Sequence, residues 1–207
     1  MAIRVLIIDP QPLIRLGLMT ATVRDDDIEV IGQASTGDEG LAMFQEQKPD
    51  VTLLSLRLPD MCAADDLGRF FEIEPAAKII VRAEGAGDAE IQASLESGAV
   101  GFLSGNVSTD ELVTGIKKVH GGTLYVEKSI SETLDAAQPN EKLTASETDV
   151  LHKLVGGMSN AEIAFALDIS ENTVKTHVRH IFEKMGVSDR TSATVAAIRR
   201  GLVRVDI

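Results

Sequence analysis

The sequence predicts two domains in series: an α/β domain on a doubly wound five-stranded parallel sheet, then a small four-helix all-α domain. Three observations predict it. Short β-branched runs alternate with helix-period segments over the first 120 residues. The excess of acid ends before residue 141. From Leu143 onward, capped amphipathic segments follow one another with no strand signal.

In the first domain the strand candidates are residues 3–9 (IRVLIID), 28–34 (IEVIGQA), 51–56 (VTLLSL), 78–83 (KIIVRA) and 100–103 (VGFL). The first, third and fourth are the most continuously apolar, as central strands covered on both faces must be. Amphipathic stretches near 12–23, 37–47, 64–73, 87–97 and 109–120 supply the covering helices, and Ser108-Thr-Asp-Glu111 is a capping box opening the last of them. Gly121 and Gly122 end that helix, which puts the domain at 1–120. Residues 121–142 read as a linker, with a second capping box at Ser129-Ile-Ser-Glu132 marking a short helix. Ala136 to Lys142, with Pro139 and Asn140, reads as its flexible part.

The second domain, 143–207, carries capping boxes at Thr144-Ala-Ser-Glu147 and Ser159-Asn-Ala-Glu162, with Gly156 and Gly157 between them. Ser170 caps a third helix, and Ser188 or Asp189 a fourth. Short helices joined by tight turns make a helix-turn-helix.

Composition excludes several classes. No apolar run reaches the ~20 residues of a membrane span. The opening MAIRVLIID turns acidic too soon for a secretory signal, so a cytoplasmic location is expected. Cys62 is the single cysteine, which leaves no disulfide framework and no cysteine-built metal site. No nucleophile–base–electrophile set is legible, so neither an enzyme nor a cofactor is expected. The net charge of −12 is unevenly placed. Residues 1–140 hold 11 Lys and Arg against 23 Asp and Glu, whereas 141–207 hold 9 against 9. A neutral domain of that kind is free to present one basic face.

The segment Ser170–Met185 shows such a face. Val174, Val178, Ile181, Phe182 and Met185 form an apolar stripe, and Asn172, Lys175, Thr176, Arg179 and Glu183 lie opposite. An ordinary surface helix with solvated charges accounts for that pattern as well as base reading does, so the helix alone does not decide between them.

The surrounding residues decide. From Leu143 to Ala197 the chain resembles the LuxR-type helix-turn-helix. The matches are Leu143-Thr144, Glu147, Val150-Leu151, Gly157, Ser159-Asn160 and Glu162-Ile163-Ala164. They continue through Leu167, Ile169-Ser170, Thr173-Val174-Lys175, His177, Ile181, Lys184, Gly186-Val187 and Arg190-Thr191. The resemblance implies binding to double-stranded DNA, with Lys175, Thr176 and Arg179 at base edges and Asn160, Thr173 and Lys184 near the phosphate backbone. It also implies a homodimer, because the segment 189–200, with Ala193, Ala196 and Ala197, is similar to the family's dimerisation helix.

Residues 1–120 resemble a response-regulator receiver, and the pairing of the two domains resembles the NarL/FixJ family. That resemblance implies an Mg²⁺-binding acidic pocket in which an aspartate takes up a phosphoryl group. Of the five positions involved, Asp9 alone matches. Pro10 stands for the second acid, Ser55 for the acceptor aspartate in LLSLRLP, Ala83 for the strand-end hydroxyl and Gly105 for the lysine in GFLSGN. Pro59, Gly98-Ala99, Gly101 and Phe102 keep the scaffold. One carboxylate and no lysine make a poor home for Mg²⁺, so no metal is expected. Serine is a poor acceptor without an activating base.

The expectation is therefore a DNA-binding transcriptional regulator whose receiver-like domain dimerises, or holds another regulatory protein or a small ligand, without phosphorylation. Two other classes compete with it. One is an orthodox phosphorylated regulator, and the other is an adaptor acting through the acidic domain.

Overall fold

The computed structural model describes residues 2–136 and 143–203. The chain divides into two compact units, the first made mainly of residues up to Leu134 and the second mainly of residues beyond it. The part of the expected flexible linker from 137 to 142 lies outside the described residues.

In the first unit β1 (Ile3–Ile8), β2 (Ile28–Ala34), β3 (Val51–Ser55), β4 (Ile79–Ala83) and β5 (Gly101–Ser104) form one parallel sheet. Its order is β2-β1-β3-β4-β5-β6. The sixth strand, β6 (Tyr125–Val126), pairs in parallel with β5. It corrects the five-strand expectation, in which these residues belonged to the linker. Two residues are too few for an alternation pattern to show, so only the neighbouring strand reveals them. The central strands are those with continuous apolar runs: Val5 to Ile8, Val51, Leu54 and Ile79 to Val81 are fully buried. The edge strand β2 is buried only at its ends, Ile28 and Ala34, and its other residues are half-buried or exposed.

The covering helices are α1 (Pro12–Thr22), α2 (Gly37–Gln47), α3 (Ala63–Asp66), α4 (Gly68–Ile73), α5 (Asp88–Glu96) and α6 (Thr109–His120). Proline at the first position of α1 starts that helix with its φ already set. The stretch expected as one helix over 64–73 is two short ones meeting at Leu67, with Gly68 at the join. Glycine there is a weak helix former. The Ser108–Glu111 capping box is present at α6. The helix expected from the box at Ser129 is α7 (Lys128–Ala136), which begins one residue earlier. The Ser129 hydroxyl donates to the Glu127 side chain at 2.7 Å. Apolar side chains of β1, β3, β4 and β5 meet Leu112, Ile116 and Val119 of α6 to form the core on one face of the sheet.

The second unit contains α8 (Ala145–Val155), α9 (Asn160–Leu167), α10 (Glu171–Met185) and α11 (Arg190–Arg199). Capping boxes at Thr144–Glu147 and Ser159–Glu162 open α8 and α9, and Ser170 and Asp189 cap α10 and α11. Gly157 takes φ +86° past the end of α8, and the chain turns there because glycine bears no Cβ. Val150, Leu151, Leu154, Ile163, Val174, Ile181, Met185 and Ala197 close the core.

Candidate nucleic-acid interface and strand-end pocket

The outer face of α10 is set by its inner one. Val174, Ile181 and Met185 are buried, so Asn172, Lys175, Thr176, Arg179 and Glu183 all point outward. The Lys175 and Arg179 side chains are 59% and 68% exposed, and one helical turn separates them. Lys175 reaches Glu171 at 3.1 Å and Arg179 reaches Glu183 at 3.8 Å. Pairs this exposed are weak, about 0.3–0.5 kcal/mol, so either cation exchanges its carboxylate for a phosphate or base edge at little cost. Thr173 is exposed beside the cap, its hydroxyl 2.8 Å from that of Ser170. Thr176 donates to the Asn172 carbonyl at 3.1 Å, and Asn160 is the first residue of α9.

Lys184 stands apart from this group. Its side chain is only 19% exposed, and its ammonium donates to Glu147 at 2.8 Å. Glu147 is buried at the third position of α8, where it also accepts from the Thr144 amide at 2.7 Å and hydroxyl at 3.0 Å. The Lys184 hydrogen bond pulls the Glu147 carboxyl down from 4.5 to about 2, against the opposing effect of burial. An ion pair between α8 and α10 is invisible in sequence because its partners lie 37 residues apart.

On α11, Ala193 and Ala197 are fully buried in the core of their own domain, and Ala196 is half-buried. Small side chains let α11 approach the core closely, so two of the three alanines face inward. The exposed apolar residues of this helix are Val195 and Ile198, at 51% and 45%.

At the carboxyl ends of the strands, the register puts Ser55 beside Arg82 and Ala83 beside Ser104. This edge, where the strand order reverses between β1 and β3, is where doubly wound sheets present their sites. Asp9 follows β1 and is buried. One of its carboxylate oxygens accepts from the Gln11 amide at 2.9 Å and the other from Arg82 Nη1 at 3.2 Å. Burial pushes the Asp9 carboxyl upward, while the Gln11 amide and the Arg82 charge pull the other way. Arg82 itself is 5% exposed. Its Nη2 donates to Glu84 at 3.1 Å and to the Gly105 carbonyl at 3.4 Å. Arg15 donates to the Asp9 backbone carbonyl at 2.7 Å, leaving the carboxylate to Gln11 and Arg82.

Ser55 turns its hydroxyl back to the Arg57 carbonyl at 3.1 Å, and among the described residues no histidine hydrogen-bonds to it. Pro10 has no side-chain oxygen, Ala83 no hydroxyl and Gly105 no side chain. Among the five positions, one anionic oxygen donor remains, already paired with a guanidinium. This set does not fit a divalent ion.

Two residues here were not singled out in the sequence. Arg82 carried a usable signal, since a charged residue inside the apolar run KIIVRA must find a buried partner. Glu127 carried none. It is buried and accepts from the Ser104 amide at 2.7 Å and hydroxyl at 3.1 Å, which ties the start of α7 to the end of β5.

Comparison with known proteins agrees with both halves of this geometry. Residues 5–117 match the response regulator receiver domain, and residues 141–197 match the bacterial regulatory proteins of the luxR family. The transcriptional regulatory protein YhcZ of Bacillus subtilis is 34% identical over 208 residues, covering 96% of this chain and 97% of that protein. Response regulator protein VraR of Staphylococcus epidermidis is 30% identical over 209 residues, covering 99% and 100%. Among solved structures, the response regulator ChrA of a heme-sensing two-component system is 30% identical, covers 97% of this chain and 98% of its own, and has a TM-score of 0.58. An RcsB–DNA complex, at 18% identity and a TM-score of 0.75, covers 95% and 98% and shares the fold. With a receiver domain ahead of a luxR-type DNA-binding domain along nearly its whole length, this chain belongs to the LuxR-family transcriptional response regulators.

Proposed function

We propose that the protein is a sequence-specific regulator that binds double-stranded DNA as a homodimer, and that its receiver domain works without phosphorylation. The observation that carries the DNA reading is the outer face of α10. Lys175, Thr176 and Arg179 project together from a helix whose other side is anchored in the core, with no buried partner among the described residues to withdraw them. A helix presented this way enters a major groove with its N-terminal half at the base edges. Thr173 and Asn160, at the starts of α10 and α9, are assigned to the phosphate backbone, where helix N-termini favour anions. Lys184 is assigned to holding α8 against α10 through Glu147, in place of a phosphate contact.

Val195 and Ile198 are the surface that two copies would share on adjacent half-sites. For the receiver domain, the pairing of Asp9 with Arg82 and the residues Pro10, Ser55, Ala83 and Gly105 support phosphorylation independence. Its role is then to dimerise or to hold another regulatory protein or small ligand. DNA reading is tested by binding of wild type and Arg179→Ala to the mapped operator and to scrambled DNA. Loss confined to the operator supports base reading, and equal loss on both contradicts it.

A further inference from the structure

We infer that Arg82 is a built-in cation on Asp9, the one acid that the receiver resemblance assigns to metal binding, so that metal exclusion is an active property of one side chain. The inference deepens the phosphorylation-independent reading and rests on it. Three oxygens of a kind that suit a hard cation converge on the guanidinium: Asp9 Oδ2 at 3.2 Å, Glu84 Oε1 at 3.1 Å and the Gly105 carbonyl at 3.4 Å. They come from the ends of β1, β4 and β5, which is the edge where the fold places its ligands. Arg82 reaches them from β4, directly beside Ser55 in register. Its side chain is 6% exposed and that of Asp9 3%, so solvent does not compete for that contact, whereas Glu84, at 58%, reaches the guanidinium from the surface.

A buried arginine is too costly to desolvate as filler, and its partners here satisfy it as a metal's ligands would satisfy a metal. Charge balance follows the same logic. Asp9 is 3% exposed in its side chain and needs a counter-charge, and its own backbone carbonyl occupies Arg15. With the guanidinium in place a second cation meets like charge in the same space. Without it, two carboxylates and a carbonyl are left facing one another, a set able to take Mg²⁺ or Mn²⁺. Loss of the acidic pair at Pro10 and Ser55 is therefore only part of the change. Restoring an acceptor alone leaves the cation position filled.

The test uses the full-length protein and Mn²⁺, with free ion read by electron paramagnetic resonance, and calorimetric melting with and without Mg²⁺. Wild type is expected to leave millimolar Mn²⁺ free and to melt at the same temperature in either buffer. Arg82→Ala is expected to sequester one Mn²⁺ per chain, at least about tenfold more tightly than wild type. Its lowered melting temperature is expected to recover with Mg²⁺, and adding Asp9→Asn should abolish that gain. Should Arg82→Ala not fold, Arg82→Gln, which removes the charge and keeps most of the packing, must show the same gain. Mn²⁺ binding by wild type, or no gain in the variant that folds, overturns the inference. Mass measurement of wild type after acetyl phosphate is the separate arm. A phosphoryl adduct there overturns the phosphorylation-independent reading itself, whereas no adduct together with no Mn²⁺ gain overturns the role of Arg82 alone.

Discussion

Replacing Glu147 by Gln should cost the DNA-binding domain acid-sensitive stability and little of its DNA affinity. The carboxylate is 4% exposed, completes the capping box of α8 and receives the Lys184 ammonium at 2.8 Å. Its carboxyl is held down from 4.5 to about 2. At about 1.4 kcal/mol for each pKa unit the upper bound is about 3.5 kcal/mol, and relaxation around the pair brings the expected loss to about 2 kcal/mol. The sign follows from the depression. The unfolded chain binds the proton more readily, so the contribution is complete above about pH 4.5 and disappears as pH falls toward 2. In a domain of this size a loss of 2 kcal/mol lowers the melting temperature by about 10 °C. The assay is calorimetry of the whole protein from pH 7 to pH 3, with hydrogen exchange of the α8 and α10 amides identifying the transition. Lys184→Met should behave similarly and leave the salt dependence of DNA binding unchanged. Equal melting of wild type and Glu147→Gln at pH 7, or a salt slope reduced by about one unit in Lys184→Met, refutes the reasoning and returns Lys184 to the phosphate backbone.

The other predictions concern the two candidate surfaces. Arg179→Ala should lose about 1–3 kcal/mol on the operator, measured by titration against labelled duplex, with little change on scrambled sequence. Val195→Asp with Ile198→Asp should keep the fold, because both side chains are exposed, and should reduce footprints from paired half-sites to single ones. Asp9→Ala removes the buried one of the two carboxylates paired with Arg82, leaving Glu84, and should destabilise the receiver domain by about 1.5–3 kcal/mol in denaturant melts. Acetyl phosphate with Mg²⁺ should add no mass to the wild-type chain and leave its DNA affinity unchanged, and a stable adduct with tighter binding would contradict this.

What was legible in the sequence was what depends on local chemistry. Five strands, the capped helices and the outward face of α10 follow from periodicity and capping, because side-chain direction is fixed within a turn or a pleat. That Pro10, Ser55, Ala83 and Gly105 bear neither a carboxylate nor an amine was legible too, since it is a matter of residue type alone. Four features were decided by tertiary structure: β6, the inward turn of Ala193 and Ala197, the Lys184–Glu147 pair and the Asp9–Arg82 pair. Each depends on partners brought together from distant sequence. Arg82 and Asp9 lie 73 residues apart and meet because β1 and β4 both flank β3 in a parallel sheet. A residue's type and neighbours give its chemistry, but which charge neutralises it in a dry interior is set by the packing that brings the strand ends together.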